Sequence, residues 1–287
     1  MSGFDAAAAL LPKIIRNSIY ALPDTVRAQS QEFRLRIGRK PAVTIPSGEY
    51  ELPGCPSVTQ ENLSRVLETA TDASPYIASA GIENGFVKSA GGVRVGLCGQ
   101  MTGEGGSWAK RGLTSVNIRI PREVRGCAER FCLDPMPSTL ILSPPGAGKT
   151  TLLRDMVRIV SDGGVRVGLC DERREIAAWN GSSFGFDVGR MTDVLSDCSK
   201  SAAALQLLRT MNPQWIAMDE VTDPADAKAC FSAASCGVKL LATAHACAEN
   251  DIRDNRLYRE LTEGKIFSRL LWIRAVDGRR DYREEWI

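Results

Sequence analysis

The chain has 287 residues, of which 44% are hydrophobic, and its 36 basic and 34 acidic residues nearly balance. This length suits one large domain or two ordinary ones, and no apolar run approaches the roughly 20 residues that span a bilayer. The nine cysteines include no CxxC pair, which argues against a zinc site or a disulfide framework and favours a reducing compartment. We therefore expect a cytoplasmic protein.

The first 130 or so residues predict a mixed α+β domain. Apolar residues fall on one face of a helix over 5–22, which Pro12 breaks early, and a second helix begins after the capping residue Thr59. Short alternating segments bounded by glycines indicate an antiparallel sheet. The predicted strands are Phe33–Ile37, Val43–Ile45, Phe86–Lys88, Val93–Leu97 and Val116–Ile120.

Pro135 and Pro137 mark a linker over 133–138, so the predicted domains are 1–132 and 139–287. Beyond the linker, apolar strands alternate with helices, which is typical of a parallel sheet covered on both faces. The predicted strands are Leu140–Ser143, Val165–Cys170, Trp215–Asp219, Val238–Ala244 and Phe267–Arg274.

A glycine-containing turn joins the first of these strands to a helix and has the composition of a phosphate-binding loop. Its residues, all predicted to contact nucleotide, are Ser143, Pro144, Pro145, Gly146, Ala147, Gly148, Lys149, Thr150 and Thr151. Lys149 would reach the β- and γ-phosphates of ATP, and the Thr150 hydroxyl would ligate Mg²⁺. Ser143 stands where the usual loop has its first glycine.

Two carboxylates, Asp219 and Glu220, end a later apolar strand. In a phosphate-loop enzyme, an aspartate at this place holds Mg²⁺ through water, and an adjacent glutamate deprotonates the attacking water. The alternative is an ordinary exposed strand end. The only histidine, His245, ends the next strand. If that strand lies between the loop strand and the carboxylate strand, Thr243 and His245 come close to the γ-phosphate.

A third strand ends in the charged segment 171–175. Asp171, Glu172 and Glu175 could support the water, with Asp171 near the nucleotide, and Arg173 or Arg174 could reach phosphate. Surface ion pairing of the same residues remains an open alternative.

These segments resemble the secretion ATPases of the type II and type IV families. The loop, Asp219-Glu220, Asp171-Glu172-Arg173 and Thr243–Ala246 carry the resemblance. The whole chain is more narrowly similar to the stage III sporulation AA family. The additional matching segments are Phe33–Arg39, Gly91–Gly96, Ser115–Ile120 and Thr192–Leu195.

The resemblance implies a RecA-like P-loop ATPase core with a parallel sheet, preceded by a smaller α+β N-terminal domain. It also implies a homo-oligomeric ring, a hexamer by the family pattern, that is docked on membrane proteins of a sporulation channel complex. In such a ring an arginine of a neighbouring subunit completes the site. The candidates are Arg94, Arg119, Arg122 and Arg209.

We therefore predict an ATPase that converts ATP and water to ADP and phosphate with ATP and Mg²⁺ as cofactors. Its catalytic residues would be Glu220, Lys149, Glu172 and Arg209. Two alternatives stay open. One is a nucleotide-gated ATPase that binds single-stranded nucleic acid through the basic segment Arg34–Lys40, and the other is a scaffold that binds ATP with little turnover.

Overall fold

The computed structural model describes residues 2–72, 85–102, 107–132, 135–179, 183–276 and 279–287. The chain divides into two compact units. The N-terminal unit comprises Met1–Glu123 and Ala178–Gly185, and the C-terminal unit comprises Val124–Ala177 and Phe186–Ile287. No described helix combines the length and the apolar character that crossing a membrane requires.

The division between the units lies upstream of the linker predicted at 133–138, whose residues 133 and 134 fall outside the described residues. The segment before the two prolines already packs in the C-terminal unit. Phe131 is buried there, and its ring centroid lies 5.1 Å from that of Tyr282. The Ala128 N–H donates to the Asp155 carboxylate at 2.9 Å. Pro135 and Pro137 belong to the C-terminal unit as well.

An antiparallel sheet of order β3-β2-β1-β6-β5-β4 forms the frame of the N-terminal unit. Its strands are β1 (Glu32–Arg36), β2 (Ala42–Ile45), β3 (Gly48–Glu51), β4 (Phe86–Lys88), β5 (Arg94–Thr102) and β6 (Ser107–Arg119). The helices are α1 (Gly3–Ala9), α2 (Lys13–Tyr20), α3 (Asp24–Gln29) and α4 (Gln60–Asp72). Alternate residues of β1, such as Phe33 and Leu35, are fully buried, which sets one face of this sheet against the core.

The predicted antiparallel sheet is present, and Pro12 breaks the first helical segment as expected. Pro12 has φ −51° and stands at the N-cap of α2, a place where its missing N–H costs no helical hydrogen bond. The helix α3 and the strand β3 have no counterpart in the prediction. Every residue of β3 is exposed, so the apolar alternation that marks a half-buried strand is absent from it.

A sheet of order β13-β12-β7-β11-β10-β8-β9 forms the frame of the C-terminal unit. Its strands are β7 (Thr139–Ser143), β8 (Val167–Asp171), β9 (Thr192–Ser196), β10 (Trp215–Met218), β11 (Lys239–His245), β12 (Arg269–Val276) and β13 (Arg279–Trp286). The helices are α5 (Lys149–Asp162), α6 (Lys200–Thr210), α7 (Pro224–Ser235), α8 (Glu249–Asp254) and α9 (Arg256–Glu263).

The strands from β12 to β9 pair in parallel, and only β13 pairs antiparallel, with β12. Every residue of β7, β8 and β10 is buried, because both faces of this sheet are covered. The strand β11 lies between β7 and β10, which confirms the order on which the positions of Thr243 and His245 depend. The strands β9 and β13 were not predicted, because neither is a buried apolar run.

Candidate active site

The predicted phosphate-binding loop connects β7 to α5 at the carboxyl edge of the parallel strands. Gly146 and Gly148 have φ of 76° and 105°, a left-handed region that side chains with a Cβ rarely adopt. Gly148 is the N-cap of α5, so the first N–H groups of that helix point out of its N-terminus. The loop thus has the turn and the helix start that bind an anion.

Lys149 is buried beneath this loop, with 5% of its surface exposed. Its Nζ donates to the carbonyl oxygens of Ser143 at 3.4 Å and Pro144 at 3.3 Å, and it lies 2.9 Å from His245 Nδ1. Burial lowers the pKa of Lys149, while the negative charges of Asp219 and Glu220 oppose that shift. A phosphate group bound at the loop would bring negative charge close to the Lys149 ammonium group and so offset the cost of burying it.

Asp219 joins the loop to the central strand β11. One of its carboxylate oxygens accepts a hydrogen bond from Thr150 Oγ1 at 2.6 Å, and the other accepts one from Thr243 Oγ1. The Thr243 hydroxyl also accepts from the Glu220 N–H at 2.8 Å. A single buried threonine on β11 therefore orients the Asp219 carboxylate and the backbone of Glu220.

The Glu220 carboxylate lies between two hydrogen-bonding side chains, those of His245 and Arg173. Its Oε1 lies 3.1 Å from His245 Nε2, and its Oε2 accepts from Arg173 Nη1 at 2.9 Å. Because an ammonium group only donates, the Lys149 contact makes His245 Nδ1 an acceptor, so Nε2 carries the proton that is donated to Glu220. Lys149, His245, Glu220 and Arg173 thus form one hydrogen-bonded chain.

The segment 171–175 divides its charges between two tasks. The Asp171 carboxylate is buried and accepts three backbone N–H groups, from Glu175 at 2.8 Å, Ile176 at 3.0 Å and Ala177 at 2.9 Å. Arg174 pairs with Asp197. Asp171 therefore stabilises the loop that follows it, while Arg173 contacts the Glu220 carboxylate. The segment therefore contains a residue that contacts the site, Arg173, and a residue that forms an ion pair elsewhere, Arg174.

Glu172 accepts from Lys200 Nζ at 3.0 Å, and the same Nζ lies 3.3 Å from Asp226. Burial opposes the charge of Lys200, but the hydrogen bond to Glu172 and the charges of Asp226 and Glu172 raise its pKa above the ordinary value. A pocket beside Glu220 is lined by Glu172, Lys200 and Asp219 among others. Glu172 therefore faces the pocket that adjoins Glu220.

Thr150 and Asp219 are the residues that could hold a divalent cation. Their oxygens already lie 2.6 Å apart, and Mg²⁺ is typically held by one or two protein oxygens together with substrate phosphates and water. Over the described part of the chain, no group of three or more His, Cys, Asp or Glu side chains forms a separate metal site. The donor set fits a magnesium ion that arrives with a nucleotide.

Two further arginines, Arg209 and Arg280, lie in different places relative to the network. Arg209 lies exposed in the last turn of α6, and none of the described contacts joins it to the network around Glu220. Arg280, on β13, was not foreseen, yet its Nε donates to the Ala147 carbonyl at 3.0 Å across a separation of 133 residues. No sequence pattern signals such a contact, because it depends on how β13 pairs.

Comparison with known proteins agrees with this architecture. Residues 7–281 match the family described as sporulation stage III, protein AA. The chain is 32% identical over 281 residues to the stage III sporulation protein AA of Bacillus subtilis, which covers 94% of this chain and 91% of that protein.

Among solved structures, the pilus retraction motor PilT with bound ADP is similar with a TM-score of 0.65 at 16% identity, over 96% of this chain and 82% of that chain. The ATPase DotB of Yersinia pseudotuberculosis is similar with a TM-score of 0.62 at 14% identity, over 96% and 79%. At such low identity these similarities show the fold, a RecA-like core with a parallel sheet preceded by a smaller α+β domain, as predicted. Since the family match spans nearly the whole length, the chain belongs to the sporulation stage III protein AA family.

Proposed function

We propose that this protein binds ATP with Mg²⁺ and hydrolyses it to ADP and phosphate. The observation that carries the proposal is the continuous network at the carboxyl edge of the sheet. In it, Lys149 contacts His245, His245 contacts Glu220, and the hydroxyls of Thr150 and Thr243 both bind Asp219. These are the groups that phosphoryl transfer to water requires, gathered around one loop.

Each residue of the network has a task that follows from its chemistry. Lys149 neutralises phosphate charge, Thr150 and Asp219 hold the magnesium ion, and Glu220 takes the proton of the attacking water. The magnesium ion, when bound, supplies positive charge to the phosphate oxygens. His245 and Arg173 orient the Glu220 carboxylate. Because His245 also contacts Lys149, it links the residue that binds phosphate to the residue that activates water.

The test is the turnover of Glu220→Gln. The amide keeps the shape of the side chain but cannot accept the proton, so ATP hydrolysis should fall by roughly 100-fold or more while ATP still binds. Glu249→Gln is the matched control, since Glu249 is an exposed glutamate that pairs with Arg283 on the surface. A Glu220→Gln variant with the parental rate would move the base elsewhere, with Glu172 the first candidate.

The proposal extends to a homo-oligomeric ring, a hexamer, in which a neighbour's arginine completes each site. Arg94 and Arg119 are paired in register on neighbouring strands of the N-terminal unit, and Arg119 is exposed. Arg122 instead donates to the carbonyl oxygens of Ala28 and Ser30. These contacts make Arg94 and Arg119 better candidates than Arg122 for a residue that acts in a neighbouring subunit.

Membership of the sporulation family supports a more specific role. We propose that the ATPase energises a channel complex between mother cell and forespore, and that it works in the cytoplasm while docked on membrane proteins of that complex. The nucleic-acid alternative receives less support, because Arg34 pairs with Glu32 and Arg36 pairs with Glu49, each at 2.7 Å. Arg34 and Arg36, two of the four basic residues of that segment, are thereby paired within their own sheet.

A further inference from the structure

The side chain of Arg280 lies against the phosphate-binding loop. Its Nε donates to the Ala147 carbonyl oxygen at 3.0 Å. A Cβ built on Gly148 would lie 2.9 Å from Nε and 3.0 Å from both Cζ and Nη2 of Arg280. Two neighbouring loop residues therefore meet one guanidinium group, which comes from the edge strand β13, two strands away from the loop strand β7.

The hydrogen bond to Ala147 orients a particular peptide group. The C=O of Ala147 and the N–H of Gly148 belong to the same trans peptide, in which the two groups point in opposite directions. When Arg280 holds the carbonyl on its own side, the Gly148 N–H points to the other side. The Ala147 N–H, by contrast, is directed within the loop to the Pro144 carbonyl at 3.4 Å.

Gly148 is the residue through which this orientation reaches a ligand. It is the N-cap of α5, its φ of 105° disfavours any residue with a Cβ, and a Cβ at this position would displace the Arg280 guanidinium group. Its N–H is followed directly by the N–H groups of Lys149 and Thr150 at the helix start, which together bind anions. Fixing the Ala147–Gly148 peptide before the nucleotide arrives removes part of the ordering cost of binding.

We propose that Arg280 is a positioning residue for nucleotide binding: it fixes the Ala147–Gly148 peptide so that the Gly148 N–H faces the β-phosphate of ATP or ADP. This inference rests on the proposed ATPase function and adds to it a residue outside the loop sequence. It also makes the pairing of the last strand, β13, a condition for tight nucleotide binding.

The test compares Arg280→Gln, Arg280→Lys and the control Arg283→Gln by calorimetric titration with ATP and with ADP. Arg283 lies on the same strand, but its guanidinium pairs with Glu249 at 2.9 Å. Loss of one charge-assisted hydrogen bond should weaken ATP and ADP binding of Arg280→Gln by about ten-fold, and equally for both nucleotides, since both carry the β-phosphate. Arg283→Gln should keep the parental affinity.

Three readouts separate positioning from a merely structural role. KM for ATP should rise more than kcat falls, Arg280→Lys should recover part of the affinity, and the backbone amide resonance of Gly148 in the nucleotide-free protein should shift in Arg280→Gln but not in Arg283→Gln. Unchanged nucleotide affinity in Arg280→Gln, or an equal loss in Arg283→Gln, would overturn the inference while leaving the ATPase intact. Absence of ATP binding in the parental protein would reject the proposed function itself.

Discussion

Glu220 combines a left-handed backbone conformation with the central position in the site. Its φ is 50°, which costs on the order of 1 kcal/mol or more for a residue with a side chain. The hydrogen bond from its N–H to the buried hydroxyl of Thr243 at 2.8 Å holds this conformation. In this backbone conformation, at the end of β10, the Glu220 carboxylate contacts His245 and Arg173.

In Lys149, as in Glu220, a feature that the site uses is unfavourable for folding. Burial lowers the pKa of this lysine, so the cost of burying its charge offsets part of what its hydrogen bonds contribute to folding. We expect Lys149→Met to abolish ATP binding without lowering the free energy of unfolding, since the apolar chain fills the same space. Calorimetric titration and urea denaturation measure the two effects.

The control for this variant is Lys228→Met, which removes an exposed lysine of α7. It should leave both ATP affinity and stability as in the parental protein. Retention of full ATP affinity by Lys149→Met would show that the loop does not bind phosphate in the way proposed.

At the scale of elements, Lys200 connects three segments of the C-terminal unit. It is the first residue of α6, and its ammonium group pairs with Glu172, which follows β8, and with Asp226, near the start of α7. Asp226 also completes the capping box of α7 with Asp223. Through these contacts, Lys200 connects the starts of α6 and α7 to the loop after β8, which lies beside Glu220.

Lys200→Met should lower the free energy of unfolding by about 2–4 kcal/mol, because it leaves the buried Asp226 without its cation. The pKa of Lys200 is raised above its ordinary value of 10.5, so its contribution is complete below that pH and is lost only as pH rises through the higher folded value. The difference between the two proteins in urea denaturation should therefore be constant from pH 6 to pH 9.

Neutralising the partner provides the internal check. In Lys200→Met with Asp226→Asn, the second substitution removes the unpaired charge, so the double variant should be more stable than Lys200→Met alone. If Lys200→Met is as stable as the parental protein, the contacts of Lys200 do not hold these elements together.

At the scale of the whole molecule, the ring is the largest extension of the proposal. If a neighbour's arginine completes each site, specific ATPase activity should rise with protein concentration. Light scattering with ATP and Mg²⁺ should show the assembly forming over the same range of concentration. Constant specific activity from a monomer would reject the ring. Salt-dependent binding of single-stranded DNA or RNA by that monomer would then favour the nucleic-acid alternative.

Mixing inactive variants tests which arginine acts between subunits. Glu220→Gln supplies an intact Arg119, and Arg119→Ala supplies an intact Glu220, so a mixed ring contains some sites with both groups. If sites act independently, the mixture should regain part of the activity that each variant lacks. A ring in which every site must cycle would show little recovery.

The sequence by itself determined the fold class and most of the residues that take part in the network around the loop. Glycines, a lysine and a threonine between an apolar strand and a helix have few other uses, and the apolar runs that end at Asp219 and His245 are typical of buried strands. Since parallel strands bring their carboxyl ends to one edge of a sheet, these residues were expected to meet once the strand order was known.

Only the tertiary structure decided which contacts those residues make. The place of β11 between β7 and β10 brings His245 between Lys149 and Glu220. The folded loop directs three backbone N–H groups to the Asp171 carboxylate. The pairing of the exposed strand β13 brings Arg280 to the loop. Such contacts leave no local pattern, because they arise from strand pairing between residues far apart in the chain.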